Sequence, residues 1–95
     1  MNEFKVKFRT HAIQRMFERS ITEEEIELVI SEGEVIKKYP EDKPYPSRLI
    51  LGWIDKRPLH VVVAINRENS LIIVVTVYEP DPEIWTLNFK RRQKS

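Results

Sequence analysis

His11, Arg15 and Arg19 recur at four-residue spacing, and together they are the first group in the chain that could do chemistry. On a helix, which turns about 100° per residue, His11, Arg15 and Glu18 share about one-sixth of the circumference, and Arg19 adjoins Arg15 one turn on. Such a face offers an imidazole for proton transfer and guanidinium groups for phosphate. An ordinary solvated helix face would look the same.

A second group centres on His60, which interrupts the run Leu59-His60-Val61-Val62-Val63. An unpaired polar group in such a strand costs free energy, so this histidine needs a partner or a task. If Asn66 pairs with Ser70 around a three-residue loop, His60 stands opposite Thr76 and Val62 opposite Val74. His60, Thr76 and Tyr78 then share a face, with Tyr78 diagonal to His60. Gly52, on the preceding strand, is a position where a ligand could approach the backbone. A third group is the basic stretch Lys90, Arg91, Arg92 and Lys94 beside Phe89, which suits phosphate contact or a frayed, solubilising end.

Other chemistries lack their residues. Without cysteine there is no thiol nucleophile, thiolate metal site or disulfide framework. Two histidines 49 positions apart do not make a metal-ligand pattern, and no cofactor is expected. Gly33 and Gly52, the two glycines, cannot form a phosphate loop. Ser47 and Ser70 have no nucleophile-elbow context. The remaining histidine, arginine, lysine, threonine and tyrosine suit phosphate chemistry without a metal. An RNA 2′-hydroxyl attacks its own phosphodiester when a base takes its proton, cations stabilise the transition state and an acid protonates the leaving oxygen.

The elements that must position these groups follow from periodicity. Phe4, Val6 and Phe8 alternate with Lys5, Lys7 and Arg9, which predicts a half-buried strand. Thr10 can cap a helix over 11–19, with Ile13, Met16 and Phe17 as its buried stripe. Thr22 and Glu25 form a capping box for a second helix, with Ile21 and Ile26 at the staple positions. Glu23, Glu24 and Glu25 suit the positive end of that helix, and Ile26, Val29 and Ile30 make its buried face. Gly33 is a natural stop. Strands are predicted over 34–39, 48–54, 59–66 and 71–78. A proline-rich loop over 40–47 and a short turn at Asp55-Lys56-Arg57 separate the first three. Arg67-Glu68-Asn69 closes the last hairpin, with Asn69 suited to positive φ. Trp85 and Phe89 should tie the C-terminal segment to the body.

The fold class is therefore α+β. An N-terminal strand and two helices pack on one face of a four-stranded antiparallel meander sheet. The 95 residues suit one domain over 1–95. Net charge is +1, but residues 20–34 hold six acidic groups and no basic one, so the basic charge is concentrated elsewhere. No apolar run nears the roughly 20 residues of a membrane span, and the N-terminus lacks an apolar signal segment, so a cytoplasmic protein is expected.

Several strings, in order along nearly the whole chain, resemble the domain-of-unknown-function family 4258. They are His11-Ala12-x-x-Arg15-Met16-x-x-Arg19, Ile21-Thr22-x-x-Glu25, Tyr39-Pro40, Leu51-Gly52-Trp53, Pro58-Leu59-His60-Val61-Val62-Val63-Ala64 and Thr76-Val77-Tyr78-Glu79-Pro80. That family is thought to resemble the RelE/barnase/colicin-type ribonuclease toxins. The resemblance implies metal-independent RNA cleavage by the toxin of a toxin–antitoxin pair. Its partners would be RNA, ribosome-bound mRNA among the forms it could take, and a cognate antitoxin protein. It implies His11, Arg15, His60, Thr76 and Tyr78 as catalytic residues. Arg19, Lys90, Arg91 and Arg92 would bind RNA. The alternative is a non-catalytic module that binds protein or nucleic acid. If the two halves form one site, His11 and Arg15 should face the same cleft as His60.

Overall fold

The computed structural model describes residues 4–86 and 88–92. Its elements are β1 (Lys5–Phe8), α1 (Thr10–Arg19), α2 (Glu23–Glu32), β2 (Glu34–Tyr39), β3 (Ser47–Ile54), β4 (Arg57–Asn66) and β5 (Leu71–Tyr78). They form an α+β fold of two helices and one five-stranded mixed sheet, in the order β1-β5-β4-β3-β2. The four C-terminal strands are the expected antiparallel meander. The N-terminal strand corrects the four-stranded expectation: it joins the sheet beside β5, parallel to it, from Lys5 opposite Leu71 to Phe8 opposite Val74. A half-buried strand must satisfy its backbone groups, and β5 was one of the two free edges of the meander.

Both helices cover one face, the inner face, where Ala12, Met16, Ile21, Ile26 and Val29 pack on Leu59, Val61, Val63, Ile65, Ile72, Val74 and Val77. α2 begins as expected, with both capping-box hydrogen bonds formed between Thr22 and Glu25. It ends at Gly33, where a Cβ would lie 2.4 Å from the Val29 carbonyl oxygen. Gly52 serves the same packing. A Cβ there would lie 2.6 Å from Val29 Cγ2, so Gly52 makes room for α2.

α1 departs from expectation twice. Its N-cap is Arg9, whose carbonyl accepts the first helical hydrogen bond from Ile13, so Thr10 is already inside the helix. Its buried residues are Ala12 and Met16, while Ile13 is half-exposed and Phe17 is 88% exposed. β1, placed within the sheet, packs Phe4, Val6 and Phe8 against the same core. No helix among the described residues is long and apolar enough to cross a membrane.

The last hairpin has a different register from the one expected. Asn66 pairs with Leu71, so the loop has four residues, Arg67 to Ser70, and Ser70 rather than Asn69 takes positive φ, at 50°. A bulge at Val75 adds a second residue to β5. One such slip would send every later side chain to the other face of the sheet, and two restore the original face. Thr76 and Tyr78 therefore stay on the face of His60, but the strand has slid. Tyr78 now stands directly opposite His60, and Thr76 opposite Val62.

Candidate functional site on the outer sheet face

β4 alternates without interruption. Leu59, Val61, Val63 and Ile65 point to the helices. His60, between two of them, therefore points to the opposite, outer face. There it is completely buried. The residues that bury it come from β5 and from the C-terminal segment. Tyr78 meets its ring edge-on at 5.1 Å between centroids, and Trp85 does so at 4.4 Å. Phe89, which packs on Trp53, brings its backbone carbonyl over the imidazole. Trp85 and Phe89 thus tie the C-terminal segment down, as expected.

The two hydrogen bonds of His60 define its chemical state. A carbonyl oxygen only accepts, so Nε2–H donates to Phe89 O at 2.8 Å. Nδ1 is then unprotonated and accepts from the Tyr78 hydroxyl at 3.1 Å. Burial holds the His60 pKa below the usual histidine value, and the bond to the Phe89 carbonyl offsets part of that shift. Burial also raises the Tyr78 pKa, as does Tyr39 nearby, while Arg92 lowers it. The pair is a neutral imidazole held by a neutral phenol, close to one cation.

Tyr78 opens onto a groove of about 580 Å³ lined by Lys37, Tyr39, Leu49, Tyr78, Ile84, Trp85 and Arg92. Lys37 lies opposite Leu49 in the sheet, and Tyr39 lies opposite Ser47, so both edge residues share the outer face. The groove offers three aromatic rings and two cations. That combination suits a nucleobase on an aromatic face and a phosphate beside it.

Of the residues singled out in the sequence, His60 and Tyr78 are in contact, Thr76 lies one pair along the same face, and Arg92 lines the groove. Arg91 is exposed, and its carbonyl accepts from Thr86 N–H. Lys90 forms an ion pair with Glu34 at 3.0 Å beside a separate cleft. Lys94 is outside the described residues. His11, Arg15 and Arg19 are exposed on α1, in the helix layer. The Arg19 carbonyl accepts from Arg57, which also pairs with Glu79 at 3.0 Å. The imidazole of His60 is sealed on the other side of the sheet. The two polar groups therefore do not share one cleft, because α1 packs on the face that His60 turns away from.

Sequence reasoning missed Lys37, Tyr39 and Trp85 as groove residues. Alternation in β2 pairs Lys37 with Tyr39, but nothing local says that this edge strand shares a groove with the end of β5. Among the described residues, no three His, Asp or Glu side chains gather as a metal site.

The family model described as "Domain of unknown function (DUF4258)" matches residues 8–79, from the end of β1 to the residue after β5. The chain belongs to the DUF4258 family. No curated protein and no solved structure matches it. The DUF4258 region contains His60, Thr76, Tyr78, Lys37 and Tyr39, whereas Trp85, Phe89 and Arg92 follow it.

Proposed function

We propose that this DUF4258 protein binds single-stranded RNA in the outer-face groove and cleaves it without a metal, as the toxin of a toxin–antitoxin pair. One observation carries the reading. Tyr78, whose hydroxyl is bonded to the unprotonated Nδ1 of a buried histidine, lines a groove with Lys37, Arg92, Tyr39 and Trp85. A base of the RNA stacks on an aromatic ring, and Lys37 and Arg92 neutralise the phosphate. The ribose 2′-hydroxyl gives its proton to the Tyr78 oxygen as the tyrosine proton passes to His60 Nδ1. The 2′-oxygen attacks phosphorus and the bond to the 5′-oxygen breaks, leaving a 2′,3′-cyclic phosphate. The departing 5′-oxygen takes a proton from water. The resulting imidazolium keeps its Nε2–H on the Phe89 carbonyl. A cognate antitoxin protein would restrain this activity in the cell.

A second reading, a non-catalytic module that binds nucleic acid or protein, is favoured by one feature. Both ring nitrogens of His60 are already engaged, and His11 and Arg15 are on the other side of the sheet. Induced expression and a purified-protein assay on single-stranded RNA with a chelator separate the two. The nuclease reading expects growth arrest and cyclic-phosphate ends. It also expects binding by the double variant Lys37→Ala, Arg92→Ala to weaken, with a log–log salt slope shallower by about 0.7 per lost phosphate contact. Binding with neither cleavage nor arrest would leave the binding module. Cleavage that survives both Tyr78→Phe and the double variant would move the site off this groove.

A further inference from the structure

The C-terminal segment reverses tightly over His60. Trp85 bridges to Arg92, Thr86 N–H donates to Arg91 O at 2.8 Å, and Phe89 N–H donates to Thr86 O at 2.8 Å. Inside this loop the Asn88 Oδ1 accepts two bonds, from the Thr86 hydroxyl at 2.7 Å and from Lys90 N–H at 3.1 Å. Phe89 takes φ of 61°, in the left-handed region that a residue with a Cβ rarely adopts. An uncommon backbone conformation beside a buried polar side chain needs a reason. Here its product is a carbonyl aimed at His60 Nε2 at 2.8 Å. The ring of Phe89 is also held, edge-on to Trp53 at 5.8 Å.

We infer that the Asn88–Phe89 turn is a positioning element that locks His60 as its Nε2–H tautomer, so that Nδ1 is left to accept from Tyr78. The carbonyl can only accept, so the proton is kept on Nε2 whether or not a ligand is present. Asn88 acts on the histidine through the backbone: its Oδ1 ties the Thr86 side chain to the Lys90 N–H around Phe89. Neither residue lines the groove, and Asn88 is exposed. This is the arrangement by which a partner on one ring nitrogen sets the role of the other. The value of the lock to RNA cleavage rests on the nuclease reading, but the lock itself is a property of the free protein.

The test is the tautomer of His60 in the RNA-free full chain, read from long-range ¹⁵N–¹H correlations of the imidazole near neutral pH. The unmodified protein should show a single Nε2–H form. Phe89→Pro cannot adopt positive φ and should lose the single form, giving a tautomer mixture. Asn88→Ala should shift His60 towards the mixture. Asn88→Asp, which keeps an acceptor oxygen, should restore it. Unchanged amide signals from β3–β5 would show that the sheet is intact in each variant. An Nδ1–H form in the unmodified protein, or a pure Nε2–H form in Phe89→Pro, would overturn the assignment. So would an Asn88→Asp variant no better than Asn88→Ala. RNA cleavage measured on the same samples reports on the other question: a locked tautomer with no cleavage would sink the nuclease reading and leave the lock standing.

Discussion

Replacing Tyr78 by phenylalanine removes one oxygen and leaves the ring. The edge-on contact with His60, at 5.1 Å between centroids, is kept. What disappears is the donor 3.1 Å from His60 Nδ1. That nitrogen belongs to a side chain with no exposed surface, and the Tyr78 oxygen is the partner the structure gives it. An acceptor buried without a partner costs about 1–3 kcal/mol. For a domain of this size each kcal/mol moves the melting temperature by roughly 4–8 °C, so the variant should melt on the order of 5–20 °C lower. Urea unfolding gives the free energy directly, and a cycle with His60→Leu isolates the bond. In the His60→Leu background the acceptor is gone, and Tyr78→Phe should then cost close to nothing. The expected coupling is thus about 1–3 kcal/mol. A Tyr78→Phe variant within about 0.5 kcal/mol of the unmodified protein would refute the reasoning. So would an equal cost in both backgrounds.

Two further outcomes follow from the same geometry and packing. Because burial holds the His60 pKa below the ordinary value of 6.5, the unfolded chain binds a proton before the native one does as pH falls. The stability contributed is complete above pH 6.5 and declines below it, by up to about 1.4 kcal/mol per pH unit, until the native pKa is reached. The urea midpoint of the unmodified protein relative to that of His60→Leu should therefore fall from pH 7 to pH 5, and a flat difference would contradict the burial argument. Gly52→Ala should cost about 1–3 kcal/mol, because its Cβ would lie within 2.9 Å of three side-chain atoms of Val29. Adding Val29→Ala should relieve most of that strain, and simple addition of the two costs in denaturant unfolding would argue against the contact.

The sequence alone determined the local elements and the family. The valine-rich strand Leu59–Asn66 and the capping box at Thr22 and Glu25 are dictated by neighbours a few residues apart, and the structure keeps both. The run of family strings was equally legible, as was the anomaly of a histidine among valines. Non-local choices were not legible. β1 joined the sheet because β5 had a free edge, which no local pattern announces. α1 turned Ala12 and Met16 inward, and not Ile13 and Phe17, because a helix with apolar residues on two flanks is oriented by what lies beneath it. The hairpin register depended on one extra residue in a turn and one in a bulge, and their sum placed Tyr78 opposite His60. The four-residue spacing of His11, Arg15 and Arg19 was read correctly as one helix surface. Whether it met His60 depended on the side of the sheet that α1 covers, and tertiary packing put the two on opposite sides. The groove that takes its place draws Lys37 and Tyr39 from one edge strand, Tyr78 from β5 and Trp85 and Arg92 from the C-terminal segment, residues that only the closed chain brings together.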